Sequence, residues 1–193
     1  MLSQSYQNFR HIVLYDQDSD YESYLKSEAG IETFRVDAKN LVQKYAHLAT
    51  KKGRHHWFRP NLYLNEGLDR VQEGWVLILD DDDHPLSVDS LERIARNLND
   101  EEALIVWQID FCGGNKLPPD EVFEQKEIKL YSIATCCFCF HSKWKDKVRW
   151  DGYRSGDFRF ALALSQLLPR SVWIPEVLMR FPEPGRGLRK DAT

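Results

Sequence analysis

The chain has 193 residues, enough for one domain with a substantial core. Apolar residues are 42% and charged residues 29%, the balance of a globular domain and not of a disordered or fibrous one. The formal net charge of -4 excludes a broad nucleic-acid footprint, no run of about 18 apolar residues is present to cross a membrane, and the opening Met1-Leu2-Ser3-Gln4-Ser5 is no signal peptide.

In chain order, His11-Ile12-Val13-Leu14-Tyr15-Asp16 is an apolar run ending in an acid, the pattern of a buried strand. Ser19 and Glu22 form a capping box, and the helix they start should stop at Gly30. A strand is expected over 31–36 and a helix over 38–52, with Leu41, Val42, Tyr45 and Leu48 at helical spacing. The basic, aromatic stretch 51–60 reads as a loop. A short helix over 65–72 then leads to Gly74. Residues 75–83, Trp-Val-Leu-Ile-Leu-Asp-Asp-Asp-Asp, combine a strand buried on both faces with four consecutive carboxylates. Such crowding is relieved by a hard divalent cation, Mn²⁺ or Mg²⁺, which prefers carboxylate oxygens. In open α/β sheets, ligands bind beyond the carboxyl ends of strands.

Past the acids, Ser87 can cap a helix carrying Val88, Leu91, Ala95 and Leu98. A strand over 103–109, a long loop marked by Gly113-Gly114 and Pro118-Pro119, and a β-prone stretch over 128–140 follow. A helix is expected over 158–168, and a strand pair over 172–174 and 177–181. From Pro182 the chain is rich in Pro, Gly, Arg and Lys and reads as a mobile tail. Cys136, Cys137 and Cys139 are poorly spaced for zinc; with Cys112 they read as reduced, buried thiols, which suits a reducing, cytoplasmic setting. Alternating strands and helices predict an α/β three-layer sandwich with a mainly parallel central sheet. No linker or repeat divides it. The single domain has one half over 1–110, a second over 111–181 and the tail over 182–193.

Three segments resemble one family. Gln4-Ser5-Tyr6-Gln7-Asn8-Phe9, running into the strand at His11, is similar to the first signature of GT-A fold nucleotide-sugar glycosyltransferases of the inverting family 2 type. Asn65-Glu66-Gly67, followed by Gly74 and the strand ending in Asp80-Asp81-Asp82-Asp83, resembles that family's N-x-G and D-x-D-D segments. Gly156-Asp157 stands about where the family carries an acid that opens a helix. The resemblance implies a GT-A (Rossmann-like) fold and transfer of a sugar from a nucleotide diphosphate sugar, a UDP-sugar, to a glycan or glycolipid acceptor. It is compatible with peripheral membrane association. In the family a strand precedes the first signature. Relative to that pattern the first strand and part of the first helix are lacking here, which predicts impaired donor binding, marginal stability or self-association.

The resemblance also implies roles. Asp83 is the direct Mn²⁺ or Mg²⁺ ligand, at D-x-D spacing from Asp81 as Asp82 is from Asp80, with Asp81 and Asp82 assisting through water or the ribose, while Asp80 caps the strand. The cation would neutralise charge building on the leaving diphosphate. Asp157 is the candidate general base, with Asp151 in reserve; a plain helix cap is the alternative for Asp157. Asp16, or Gln17 or Asp18, would contact the base of the nucleotide, and Arg59 and Asn65 would flank it. Trp150 and Tyr153 would either stack on sugar or fill the core, and Trp107 reads as core. Arg186, Arg189 and Lys190 are either a lid over the diphosphate or a solvated tail. His84 is either a metal ligand or a turn residue, and His55-His56 lacks metal spacing. Two other functions stay open: a non-catalytic nucleotide-sugar or glycan-binding module, and a metal-dependent phosphotransferase or phosphohydrolase. The latter class normally places its key Asp after the first strand, and here two strand units come before the acids.

Overall fold

The runs His11–Tyr15 (β1) and Ile31–Arg35 (β2) pair in parallel, His11 opposite Ile31 and Tyr15 opposite Arg35. The structure, a computed structural model, describes residues 3–16, 30–49 and 60–182. The helix expected from Ser19, the loop over 51–59 and the tail from 183 lie outside the described residues. So do Gln17, Asp18, His55, His56, Arg59, Arg186, Arg189 and Lys190. Ala38–Lys44 (α1) is capped by Asp37, whose carboxylate accepts from the Lys39 amide at 2.8 Å. It ends earlier than its apolar spacing suggests and passes into a 3₁₀ turn at Ala46–Ala49. Pro60–Arg70 (α2) starts five residues before the expected position. Proline suits a first turn because its missing N–H has no partner there anyway.

The second sheet holds Trp75–Leu77 (β3), His84–Pro85 (β4), Ala103–Phe111 (β5), Asn115–Leu117 (β6), Phe138–His141 (β7) and Arg170–Phe181 (β8). Its order is β3-β7-β5-β8-β4, with β6 on β5. The α/β sandwich is the expected one. The pairing is less parallel than expected: β1–β2 and β5–β8 are parallel, while β3–β7, β5–β7, β5–β6 and β4–β8 are antiparallel. The cause is the excursion over 112–137, which returns β7 beside β5 in the opposite sense. Within it, the β-prone stretch yields strand only from Phe138. Cys136 and Cys137 occupy a 3₁₀ turn and only Cys139 lies on a strand, all three buried as free thiols. The expected late strand pair is one strand, β8, with an irregular register against β5 at Trp107/Gln108.

Ser90–Ala95 (α3), Asp120–Gln125 (α4) and Gly156–Leu167 (α5) complete the helices. The large core gathers β5, β7 and α5, where Trp107, Phe138, Phe140, Trp150 and Phe160 are fully buried. A smaller cluster of Val36, Leu41, Tyr45 and Leu62 seats β2 and α1 on α2. Helix α2 serves both clusters, since Leu68 belongs to the larger one. Gln4, from the first signature, fixes the amino-terminal segment on α3. Its side chain donates to Ser87 O at 2.8 Å and accepts from Leu91 N at 3.0 Å. Among the described residues no helix is long and apolar enough to cross a membrane.

Candidate functional site

The acidic run leaves β3 at one edge of the larger sheet and enters β4 at the other. It crosses the sheet end as a tight turn. The Asp83 amide donates to Asp80 O at 3.2 Å, and the Asp80 amide donates to Asp83 Oδ2 at 3.0 Å. The other oxygen, Asp83 Oδ1, is buried without a partner. Desolvation raises the Asp83 pKa to about 6, assisted by the charges of Asp82 and Asp157 and opposed by the Asp80 amide and the Cys136 thiol. Asp80 keeps a solvent-facing side, yet desolvation first, and then the charges of Asp83, Asp157, Asp82 and Asp81, push it up to about 7. Asp82 is also raised, mainly by desolvation. Asp81 and His84 are exposed, with His84 paired on the strand opposite Arg180.

Asp157 sits in the first turn of α5, and its charge is felt at both Asp80 and Asp83. The two motifs, 74 positions apart, therefore lie near each other at the end of the larger sheet. Burial raises the Asp157 pKa, and the Trp150 indole N–H pulls it back. That indole is fully buried, stacks on Phe160 at 3.3 Å between ring centroids, and has no partner of good hydrogen-bond geometry in the protein. The residue before α5, Ser155, adopts a left-handed φ of 59°. That conformation is uncommon for a residue with a side chain and is typical of functional turns. Gly156 is required by space, because a Cβ there would collide with the Asn61 side chain.

Asn61 and Asn65 account for how the Asp157 approach is held. They stand one helical turn apart on α2, both buried. Asn61 Nδ2 donates to Asp151 O at 2.8 Å and Tyr153 O at 2.6 Å. Asn65 Nδ2 donates to Trp150 O at 2.8 Å, and its Oδ1 accepts from Trp150 N at 3.0 Å. Both amide ends of Asn65 are thus spent on the main chain of the loop, and this places Asn65 in the interior and not on the surface. Asp151 is likewise engaged. Its carboxylate takes a two-pronged contact from Arg159, Nε to Oδ2 at 2.6 Å and Nη2 to Oδ1 at 2.5 Å. Asp16, exposed at the end of β1, accepts from the Tyr63 hydroxyl at 2.7 Å. Trp107 and Trp150 are core residues, and Tyr153 is buried.

Sequence reasoning missed Asn61 and the contact of Cys136 with Asp83. The spacing of Asn61 and Asn65 was a usable signal, since it puts two amides on one helix face. It was hidden because the helix was expected to begin at Asn65. The Cys136 contact had no local signal, because 53 positions separate the pair.

The donor set suits a hard divalent cation. It consists of carboxylate oxygens, one of them buried without a partner, in a field that disfavours ionisation until a cation compensates. Among the described residues no three His, Cys, Asp or Glu side chains are gathered as a ligand cluster. One or two carboxylates, completed by water and phosphate oxygens, is the usual protein share for Mg²⁺.

No family model matches the chain, and no curated protein does. Solved structures of S. aureus TarS share its fold. TarS 1-349 superposes with a TM-score of 0.66 at 13% identity, over 92% of this chain and 53% of that one. A second TarS structure gives 0.63 at 14%, over 92% and 32%. TarS 1-349 in complex with UDP-GlcNAc gives 0.62 at 10%, over 95% and 52%. The chain spans about half the length of TarS 1-349. Its fold is glycosyltransferase-like.

Proposed function

We propose that this chain carries the donor-binding and catalytic centre of a glycosyltransferase, moving a sugar from a UDP-sugar to an acceptor hydroxyl with inversion at the anomeric carbon. The observation that carries the reading is the convergence of Asp80 and Asp83 with Asp157 on a glycosyltransferase-like fold. That one TarS structure of this fold holds UDP-GlcNAc supports the donor class.

Asp83, with its unpartnered Oδ1, and Asp80 or Asp81 are the residues that would hold Mn²⁺ or Mg²⁺. Such an ion would supply Lewis-acid stabilisation of the charge that builds on the departing diphosphate. Asp157 accepts the proton of the acceptor hydroxyl as that oxygen forms its bond to the anomeric carbon and the sugar–phosphate bond breaks on the opposite face. Burial suits it to this task, because a carboxylate raised toward neutrality takes a proton more readily than an ordinary one. Asp151, held by Arg159, orients the loop leading to Asp157. Asp16, exposed just beyond β1, would accept from the nucleotide base.

The test is hydrolysis or transfer of UDP-GlcNAc with Mn²⁺, paired with thermal shifts in a panel of nucleotide diphosphates and their sugars. Turnover that vanishes in Asp83→Ala and in Asp157→Asn supports the assignment. A UDP-dependent shift with no turnover on any acceptor would favour a binding module. No response to any UDP species, with or without Mn²⁺, refutes the reading.

A further inference from the structure

The carboxyl ends of β3, β5 and β8 share one end of the larger sheet, because β3 and β5 are each antiparallel to β7 and β8 is parallel to β5. Two rows of side chains cross that end, one on each face, since neighbours along a strand point to opposite faces. The first row is His84, Arg180, Asp110 and Lys116, in register across β4, β8, β5 and β6. Its charges are spent on one another and on α4. Arg180 Nε donates to Asp110 Oδ2 at 2.9 Å, and Lys116 Nζ donates to Asp120 Oδ1 at 2.9 Å. The second row is Phe181, Phe111 and Asn115, also in register. Asp83 continues it, because Asp83 and Phe181 each lie one step beyond the His84–Arg180 pair in the same direction.

The second row is not spent. Phe111 and Phe181 stack with centroids 5.0 Å apart and planes 7° from parallel, and both residues are only half-buried. Asn115 is exposed, and its side-chain amide makes no hydrogen bond to any described residue. The irregular register of β8 at Trp107/Gln108 creates the row. Trp107 faces Ile174, and an unbroken ladder from there would set Phe111 against Leu178 instead of Phe181. Trp150 and Tyr153 are buried and present no ring face to a ligand. An aromatic plate beside an amide that both donates and accepts matches a pyranose. The C–H face of that ring meets the negative face of an aromatic, and its hydroxyls also donate and accept. Beyond Asp83 the row is neutral, which suits a neutral sugar and not a phosphate or a carboxylate. We propose that Phe181, Phe111 and Asn115 form a sugar subsite for the acceptor, in which a pyranose lies on the two rings and hydrogen-bonds the Asn115 amide, along the row that leads to Asp83. The assignment rests on the glycosyl-transfer reading and gives its acceptor a chemical class, a pyranose-bearing glycan.

Saturation-transfer NMR on the 193-residue chain tests this. The probes are the methyl glycosides of glucose, galactose and N-acetylglucosamine, with uridine as the control. At least one glycoside should be saturated through its ring C–H protons. Phe181→Leu should raise its Kd by about two- to tenfold, the range of an aromatic stacking contact, while Phe181→Tyr keeps the wild-type value. Asn115→Ala, at an exposed strand end, should raise it by about threefold or more. No saturation of any glycoside, binding that ignores Phe181→Leu or Asn115→Ala, or uridine binding that depends on Phe181 overturns the proposal. UDP with Mn²⁺ is read separately by thermal shift. If the glycosides bind through Phe181 while UDP with Mn²⁺ leaves Tm unmoved, the sugar subsite stands and the transferase reading falls. If UDP with Mn²⁺ raises Tm and the glycosides ignore Phe181, the subsite alone falls.

Discussion

Replacing Asp83 by Asn should stabilise the metal-free protein while removing its cation response. The folded-state pKa of Asp83 is raised from the ordinary 3.8 to about 6. A raised carboxyl contributes stability that is fully present below about 3.8 and is lost as pH climbs through 6. At pH 8 the ionised group therefore strains the native state. At about 1.4 kcal/mol per unit, a rise of roughly two units sets a ceiling near 3 kcal/mol. Asp83 is half-buried, and solvent screening reduces this to about 1–2 kcal/mol. Asn keeps an oxygen for the Asp80 amide and has no charge to desolvate. In a chain of this size each kcal/mol moves Tm by about 2–4 °C, so Asp83→Asn should melt about 2–8 °C above wild type at pH 8. The difference should nearly vanish at pH 4, where the native wild-type group is already protonated. Added Mn²⁺ should raise Tm of wild type at pH 8 and leave the variant unmoved. Scanning calorimetry at the two pH values, with and without Mn²⁺, decides the matter. A variant less stable than wild type at pH 8, or shifted equally at both pH values, would refute the electrostatic account.

Asn65→Leu strands the Trp150 N–H and C=O in a fully buried site, and urea unfolding should report a loss of about 2–6 kcal/mol at the ordinary 1–3 per unsatisfied group. Gly156→Ala should also destabilise, by at least about 1 kcal/mol, because its methyl displaces Asn61 from the loop. Asp151→Asn and Asp157→Asn should part company. The first breaks a buried-side ion pair with Arg159 and lowers Tm, whereas the second lowers kcat by about 10²-fold or more with Tm unchanged or raised. Circular dichroism melts alongside UDP-sugar turnover separate the two, and equal Tm losses would remove the distinction drawn between them.

The acidic run and the first apolar strand were legible because both are local patterns: apolar residues followed at once by charge. Helix α5 was legible from Phe160 and Leu164, one turn apart, both of which face the core. What could not be read is what depends on partners far away in sequence. Gly113-Gly114 announce the start of the excursion, but the later turn at Lys126 reaches positive φ without a glycine, and nothing local says that β7 will return antiparallel beside β5. The burial of Asn65 depends on Trp150, 85 positions away, so a polar residue near the acids read naturally as a ligand contact. Asp151 likewise read as a spare base because its partner Arg159 lies on the following helix, and only the fold brings the two together.

The different treatment of the three central carboxylates follows one physical logic. A group that must exchange a proton cannot also be held by a cation of the protein, because the ion pair would fix its charge. Asp151, which bears the geometry of the loop, has that ion pair with Arg159. Asp157 has none of comparable contact. It is oriented indirectly, through neutral amides that grip the main chain on its approach and through an indole N–H that stabilises the ionised form only in part. Asp83 is left further out of balance: one oxygen accepts from the Asp80 amide, the other has no partner of good hydrogen-bond geometry, and only the Cys136 thiol adds a weak contact. An uncompensated carboxylate lowers stability, and folds retain such groups where a ligand restores the balance. On the proposed assignment, full pairing falls on the residue that positions the loop, and incomplete pairing falls on the carboxylates proposed to bind the cation and take the proton.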